Sequence, residues 1–138
     1  MNHDAYPQGY TQGLLKNVRS IAVVGASPNS ARPSFGVMKF LLRKGFSVIP
    51  VNPGQAGKQI LGQTVYASLA DVPIAIDMVD IFRASDAVAG VVAEALALDP
   101  KPKLIWMQLG VRNDQAAAQA EALGIIVVMN RCPAIELR

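Results

Sequence analysis

The sequence predicts an α/β protein built on a doubly wound, five-stranded parallel sheet. Five short apolar runs alternate with amphipathic or Ala-rich segments, the pattern of strands joined by crossover helices. Hydrophobic residues make up 51% of the 138 residues, enough to cover both faces of such a sheet. We therefore expect a single Rossmann-like domain over residues 1–138, with strand order 3-2-1-4-5 and a ligand crevice between strands one and four.

Strand one and the helix after it are the clearest elements. Residues 21–25 form a β-branched run that ends in glycine, and apolar residues recur at helical spacing from about Ser34 to a stop at Gly45. The other expected elements are a loosely held start at 1–8, a short helix within 9–19, strand two at 47–51, a loop-rich connection at 54–73, strand three at 74–81, a helix with Ser85 as its N-cap, strand four at 103–108, a helix at 113–123 and strand five at 125–129.

The turn after strand one is predicted to bind phosphate. Gly25 permits a tight turn, and the small residues Ala26 and Ser27 leave room for an anion. The next helix begins near Ser34 and offers free N–H groups and a partial positive charge. Because the spacing G-x-G-x-x-G is absent, the stretch indicates a nucleotide without saying which one.

The end of strand two argues against a nicotinamide dinucleotide. In NAD-binding sheets an acidic residue near this point accepts a hydrogen bond from the ribose 2′-hydroxyl. The sequence has Asn52 there, followed by Pro53 and Gly54, which is turn chemistry without a carboxylate. An NAD(P)-binding, redox-sensing or dehydrogenase-like domain is nevertheless kept as an alternative.

The residues that catalysis needs are scarce, so we expect no enzyme and no metal site. His3 is the single histidine and lies in the tail that is expected to be loosely held, which argues against a Ser-His-Asp triad or a Cys-His pair, and one His with one Cys cannot form an ordinary zinc site. Asp77 and Asp80 lie three positions apart on one strand and therefore on opposite faces. Asp80 is interpreted as a strand-end residue that bonds nearby backbone amides.

The composition indicates which binding partners and which cellular compartment to expect. The net charge of +3 comes from 13 basic and 10 acidic residues that are scattered, so neither a nucleic-acid surface nor a membrane-binding run is indicated. With a single cysteine, Cys132, no intramolecular disulfide can form. The chain starts without an apolar signal core. We expect a cytoplasmic protein and leave a homo-oligomer or protein partner open.

Several short motifs extend over about residues 20 to 137. They are Ala22-Val23-Val24-Gly25-Ala26-Ser27, Arg32-Pro33-Ser34, Val48-Ile49-Pro50-Val51-Asn52-Pro53, Gly62 with Tyr66-Ala67-Ser68-Leu69, Val79-Asp80-Ile81-Phe82-Arg83, Trp106-Met107-Gln108-Leu109-Gly110 and Asn130-Arg131-Cys132-Pro133. In this order they resemble the small CoA-binding protein family, stand-alone domains similar to the N-terminal CoA-binding domain of the succinyl-CoA synthetase α subunit. The family commonly has Asp where this chain has Asn130.

The resemblance implies that the protein binds coenzyme A or an acyl-CoA without catalysis, as a carrier, sensor or regulatory partner. A separately encoded subunit of an acyl-CoA ligase is a further alternative. The 3′-phosphate of CoA needs a cation, which Arg32 or Lys58 can supply, and Phe82 is a candidate for adenine stacking, whereas Trp106 is expected in the core.

The implied CoA site consists of Gly25, Ala26, Ser27, Arg32, Ser34, Asn52, Pro53, Lys58, Phe82, Arg83, Gln108, Gly110, Asn130, Arg131 and Cys132. For Cys132 two interpretations stay open. It either packs as a small buried residue or forms a mixed disulfide with the CoA thiol.

Overall fold

Five parallel strands form the central sheet of the computed structural model, which describes all of residues 1–138. The helices and strands are, in chain order, α1 (Tyr10–Leu15), β1 (Ser20–Val24), α2 (Pro33–Arg43), β2 (Ser47–Val51), β3 (Gln59–Ile60), β4 (Gln63–Thr64), β5 (Met78–Ile81), α3 (Val88–Leu96), β6 (Leu104–Met107), α4 (Asp114–Glu121), β7 (Ile126–Val128) and α5 (Pro133–Glu136). The α/β class and the doubly wound arrangement are therefore confirmed.

The predicted strand order 3-2-1-4-5 is wrong. The sheet runs β2-β1-β5-β6-β7, so the third long strand lies beside β1 and leaves β2 at the edge. Pro50 explains the difference, because it has no N–H group to donate to a neighbouring strand on that side. Its carbonyl oxygen accepts from the Tyr66 N–H at 3.1 Å, and the Asn52 N–H donates to the Tyr66 carbonyl oxygen at 2.9 Å. The loop through Tyr66 thus covers the outer edge of β2.

Two of the expected elements differ from the structure. Strand three, expected from residue 74, begins at Met78, and Ile74 is exposed. Ser85 starts a single 3₁₀ turn before α3 and its hydroxyl accepts from the Arg112 N–H at 3.1 Å, so it is not the N-cap of α3. The connection at 54–73 is loop-rich and lacks a crossover helix, as expected, and it contains the β3–β4 hairpin and a 3₁₀ turn at Leu69–Asp71.

Helices cover both faces of the sheet, and strand alternation divides the apolar residues between two cores. On β5, for example, Val79 and Ile81 face α3 and α4, while Met78 belongs to the core that includes residues of α1, α2 and α5. We call these the α3 face and the α2 face. None of the helices is long and apolar enough to span a membrane.

The first ten residues make specific contacts, although residues 1–8 were expected to be loosely held. The Tyr6 hydroxyl accepts from the Met129 N–H at 2.7 Å and lies 2.7 Å from His3 Nδ1. The Tyr6 ring stacks on Tyr10 and carries the Arg131 guanidinium 4.9 Å from its centroid. The segment therefore packs beside the carboxyl end of β7.

Candidate functional site

A cavity of about 670 Å³ lies at the carboxyl ends of the strands. It opens where β1 and β5 are neighbours, because the chain leaves β1 toward β2 on one side and returns to β5 on the other. Ligands of doubly wound sheets bind at such a switch point. Its lining residues are Gly25, Ser27, Arg32, Pro33, Ser34, Asn52, Pro53, Gly54, Phe82, Arg83, Gln108, Leu109 and Val111.

The charge of this lining favours an anion. Arg32 and Arg83 are its only charged residues, and it contains no carboxylate. The lining extends from the β2 end at Asn52 to the β6 end at Gln108. The ends of β2, β1, β5 and β6 are separated by three strand spacings of about 4.8 Å, so the lining is roughly 14 Å long. This length is sufficient for a nucleotide with an attached chain.

Most of the site residues expected from the sequence come together in this cavity. They are Gly25, Ser27, Arg32, Ser34, Asn52, Pro53, Phe82, Arg83 and Gln108. The cavity also contains residues that the sequence reasoning missed, namely Pro33, Gly54, Leu109 and Val111. Each of the four directly follows an expected site residue in the sequence. This position next to an expected residue was the one signal that could have predicted them.

Gly25 is required by close packing between β1 and β5. It has φ 89°, a conformation in which other residues are strained. A Cβ atom there would lie 2.6 Å from the carbonyl oxygen of Phe82 and 3.0 Å from Arg83 Cδ. Glycine thus allows the backbone after β5 to approach β1 and brings Phe82 and Arg83 to the cavity.

Several amides of the predicted phosphate loop are used internally. The Gly25 N–H donates to the Val51 carbonyl oxygen at 2.9 Å, and the Ser27 N–H donates to the Ser34 hydroxyl at 3.1 Å. The N–H groups of Ala26 and Ser34 have no intramolecular acceptor. Ser34 lines the cavity in the first turn of α2, so its N–H is available to an anion there.

Asn52 connects two loops of the site. Its Nδ2 donates to the Ala26 carbonyl oxygen at 2.8 Å, and its Oδ1 accepts from the Gly54 N–H at 3.0 Å. One of the two lone pairs of this oxygen is therefore used within the loop. An aspartate would place a carboxylate against the Ala26 carbonyl, so the loop geometry itself favours an amide at this position.

Asn130 supports the wall formed by the residues after β6. It has φ 58°, and its Oδ1 accepts from the Gly110 N–H at 2.7 Å. Its own N–H donates to the Val111 carbonyl oxygen at 3.1 Å. Asn130 and Gly110 do not line the cavity themselves but hold the segment that carries Leu109 and Val111.

The remaining expected residues lie outside the cavity lining. Lys58 is exposed in the loop before β3, and Arg131 stacks on Tyr6. Cys132 is 6% exposed and packs in the α2-face core. Trp106 is fully buried, as expected of a core residue, and its Nε1 donates to the Arg131 carbonyl oxygen at 2.8 Å. The contacts of Cys132 correspond to the packing interpretation.

Two buried polar side chains, one of them in the cavity lining, have oxygen atoms without partners. Both carboxyl oxygens of Asp80 and the Oε1 of Gln108 are buried without a hydrogen bond. The expectation that Asp80 bonds backbone amides is therefore wrong. Asp80 is fully buried, and this burial raises its pKa well above the ordinary value of 3.8, which favours the neutral acid.

Comparison with known proteins identifies the family. The model of a family described as "CoA binding domain" matches residues 19–138. The chain belongs to this family. A Bacillus subtilis relative, named uncharacterized protein YneT, is 34% identical over 119 residues, which is 86% of this chain and 85% of that protein. The solved structure of "cell-free ID.343" from Thermus thermophilus is 33% identical, with a TM-score of 0.88 over 96% of this chain and 97% of that one.

A larger protein also contains a related segment. The "Acetate--CoA ligase [ADP-forming] II" of Archaeoglobus fulgidus is 36% identical over 78 residues. The match includes 55% of this chain and 11% of the ligase. Segments similar to this chain thus occur both in a small protein and in a CoA ligase.

Proposed function

We propose that this protein binds coenzyme A or an acyl-CoA in the cavity at the β1–β5 switch point and carries out no reaction itself. It would act as a carrier, sensor or regulatory partner. The observation that carries the proposal is a cavity with two arginines and no carboxylate, situated where α2 offers a free N–H group. Membership of the CoA-binding domain family supports the same ligand.

CoA fits the length of the cavity as well as its charge. We assign the diphosphate to the segment from Gly25 to Ser34 and the 3′-phosphate to Arg32, because a bidentate guanidinium matches phosphate oxygens. The adenosine would lie toward Asn52 and Pro53, and the pantetheine arm toward Gln108 and Leu109.

The cavity walls lack the side chains that catalysis commonly uses. The lining contains no His, Cys, Lys, Asp or Glu, so a general base or a strong nucleophile is not at hand. The single histidine, His3, contacts Tyr6 and Glu121 outside this lining. A thioester held here would be bound without an activating group from this chain.

Thermal unfolding with CoA and with NAD tests the ligand. A ligand at 100 times its dissociation constant stabilises the folded state by about 2.7 kcal/mol. CoA should raise the unfolding temperature in a concentration-dependent way, and NAD at the same concentrations should not, since Asn52 stands where NAD-binding sheets have a carboxylate and the cavity offers arginines to a 3′-phosphate. A shift with NAD and none with CoA would favour the dinucleotide alternative and overturn the proposal.

A second candidate is a separately encoded subunit of an acyl-CoA ligase. The similarity to a segment of the Archaeoglobus ligase favours it, because there the related segment forms part of a larger enzyme. In that case CoA binding would be retained, and a partner chain would supply the reacting groups. Size-exclusion chromatography of the protein with candidate ligase subunits, in the presence of CoA, distinguishes a complex from a protein that acts alone.

A further inference from the structure

All buried side-chain nitrogen and oxygen atoms without a hydrogen bond belong to two residues, one on β5 and one directly after β6. They are the two carboxyl oxygens of Asp80 and the Oε1 of Gln108. Unpartnered buried polar groups are rare because each costs free energy, so two on neighbouring strands call for a common explanation.

Sheet register puts both side chains on the α2 face. Asp80 on β5 pairs with Trp106 on β6, and the Gln108 N–H donates to the Ile81 carbonyl oxygen at 3.2 Å, which continues the ladder to residue 108. Gln108 lies two residues beyond Trp106 and hence on the same face. Strand spacing and rise put Asp80 and Gln108 about 8 Å apart at the backbone, a gap that the two side chains can bridge.

The two ends of the Gln108 amide differ. Gln108 lines the cavity although it is only 6% exposed. Its Oε1 is enclosed, whereas its Nε2, which has no partner either, is not among the enclosed atoms. The donor end of the amide is therefore the accessible one, and the acceptor end is turned into the protein.

A neutral Asp80 explains this orientation. A protonated carboxyl group has one O–H donor, and Gln108 Oε1 is the unpartnered acceptor on the neighbouring strand. An ionised carboxylate would instead accept from Nε2 and turn Oε1 toward the cavity. The protonation state of one buried residue thus decides whether the cavity wall offers a donor or an acceptor.

We propose that Asp80 is a positioning residue whose carboxyl O–H holds Gln108 Oε1, so that Gln108 Nε2 donates to a carbonyl oxygen of the pantetheine arm. The inference rests on the proposed function, because the arm is assigned to the β6 end of the cavity. It adds a specificity element there, since Gln108 would recognise an acceptor on the ligand chain beyond the phosphates.

Binding measurements on variants test the coupling of the two residues. CoA affinity is measured by calorimetry for the wild type, Asp80→Asn, Asp80→Ala, Gln108→Met and Asp80→Ala/Gln108→Met. Asp80→Asn retains an N–H donor and should bind like the wild type. Asp80→Ala and Gln108→Met should each weaken CoA about tenfold, and the double variant no further, because both act through one hydrogen bond.

A ligand without the arm provides the control. The affinity of adenosine 3′,5′-bisphosphate should be the same for all five proteins. Equal losses for this ligand, or an additive loss in the double variant, would mean that Asp80→Ala only loosens the fold and would overturn the proposal. Unchanged CoA affinity of Asp80→Ala would overturn it as well.

Infrared spectroscopy of the ligand-free protein separates this inference from the proposed function. Asp80 is the fully buried member of the 10 carboxylic side chains, so a protonated-carboxyl band at neutral pH should be present in the wild type and absent in Asp80→Asn. A missing band would overturn the role of Asp80 even if CoA binds. A wild type that shows the band but does not bind CoA would contradict the proposed function and, with it, the assignment of the arm to Gln108.

Discussion

The two faces of the sheet differ in how they treat buried polar groups. On the α3 face the buried polar strand residue is Ser20, whose hydroxyl donates to the Ala75 carbonyl oxygen at 2.8 Å and accepts from the Asp77 N–H at 2.9 Å. On the α2 face Asp80 and Gln108 have unpartnered oxygens. The α3 face thus resembles an ordinary core. The α2 face contains unpartnered buried oxygens next to the cavity, which lower the stability of the fold, and such groups are often found at functional sites.

The largest effect is expected where the α2 face meets the cavity, at Gly25. Gly25→Ala should destabilise the protein by about 3 to 4 kcal/mol, because it combines a strained positive φ with a Cβ atom 2.6 Å from the Phe82 carbonyl oxygen. Urea unfolding measures it. Gly36→Ala in α2 is the control, since a Cβ there meets nothing within 4 Å and should be neutral or stabilising. Equal losses for both variants would contradict the close approach of β1 and β5.

Substitution by asparagine at two adjacent positions of β5 compares directly how the two faces accommodate a buried amide. Val79→Asn puts an amide without partners into the α3 face and should cost about 2 to 3 kcal/mol. Asp80→Asn replaces a group that the α2 face already accommodates and should not destabilise. Denaturant unfolding at pH 7 gives both values, and a similar loss at the two positions would show that the faces do not differ.

The stability gain of Asp80→Asn should depend on pH. Burial raises the pKa of Asp80 in the folded chain, so between the unfolded and folded pKa values the folded state binds more protons, and the wild type loses stability as pH rises. Asp80→Asn lacks this loss. Its advantage should be absent near pH 4 and grow above it by up to about 1.4 kcal/mol per pH unit. A constant difference between pH 4 and 8 would indicate an unperturbed carboxyl group.

A smaller effect is expected at the amino-terminal segment, which packs beside β7 away from the cavity. Tyr6→Phe removes the hydroxyl that accepts from the Met129 N–H and should cost about 1 kcal/mol. CoA affinity should stay unchanged, because Tyr6 does not line the cavity. Thermal unfolding and calorimetry on the same preparation check both parts, and a changed affinity would connect this segment to the site.

Local patterns in the sequence were sufficient to predict the helices and strands but not the order of the strands in the sheet. The β-branched run before Gly25 and the apolar spacing after Ser34 correspond to β1 and α2. The order depends on which edge of β1 the third strand joins, and this is a long-range choice. Pro50 held the missing information, because a proline inside a strand favours an edge position.

Site residues could be predicted where their role depends on nearby residues in the sequence. They could not be predicted where their role depends on packing against distant segments. Gly25, Arg32 and Asn52 follow from turn and charge patterns at strand ends. The missing partners of Asp80 do not, because the atoms that surround its carboxyl group come from distant segments. The exclusion of Lys58 from the cavity lining likewise depends on the path of the loop before β3.

Calorimetric titration of the wild type and Arg32→Ala with CoA and with 3′-dephospho-CoA tests the central claim most directly. We expect one CoA site per wild-type chain. Loss of a charge-assisted hydrogen bond, about 1.5 to 3 kcal/mol, should weaken CoA roughly 10- to 100-fold in Arg32→Ala, with a much smaller loss for 3′-dephospho-CoA. No CoA binding to the wild type would contradict the account of this cavity, and equal losses for the two ligands would contradict the assignment of the 3′-phosphate to Arg32.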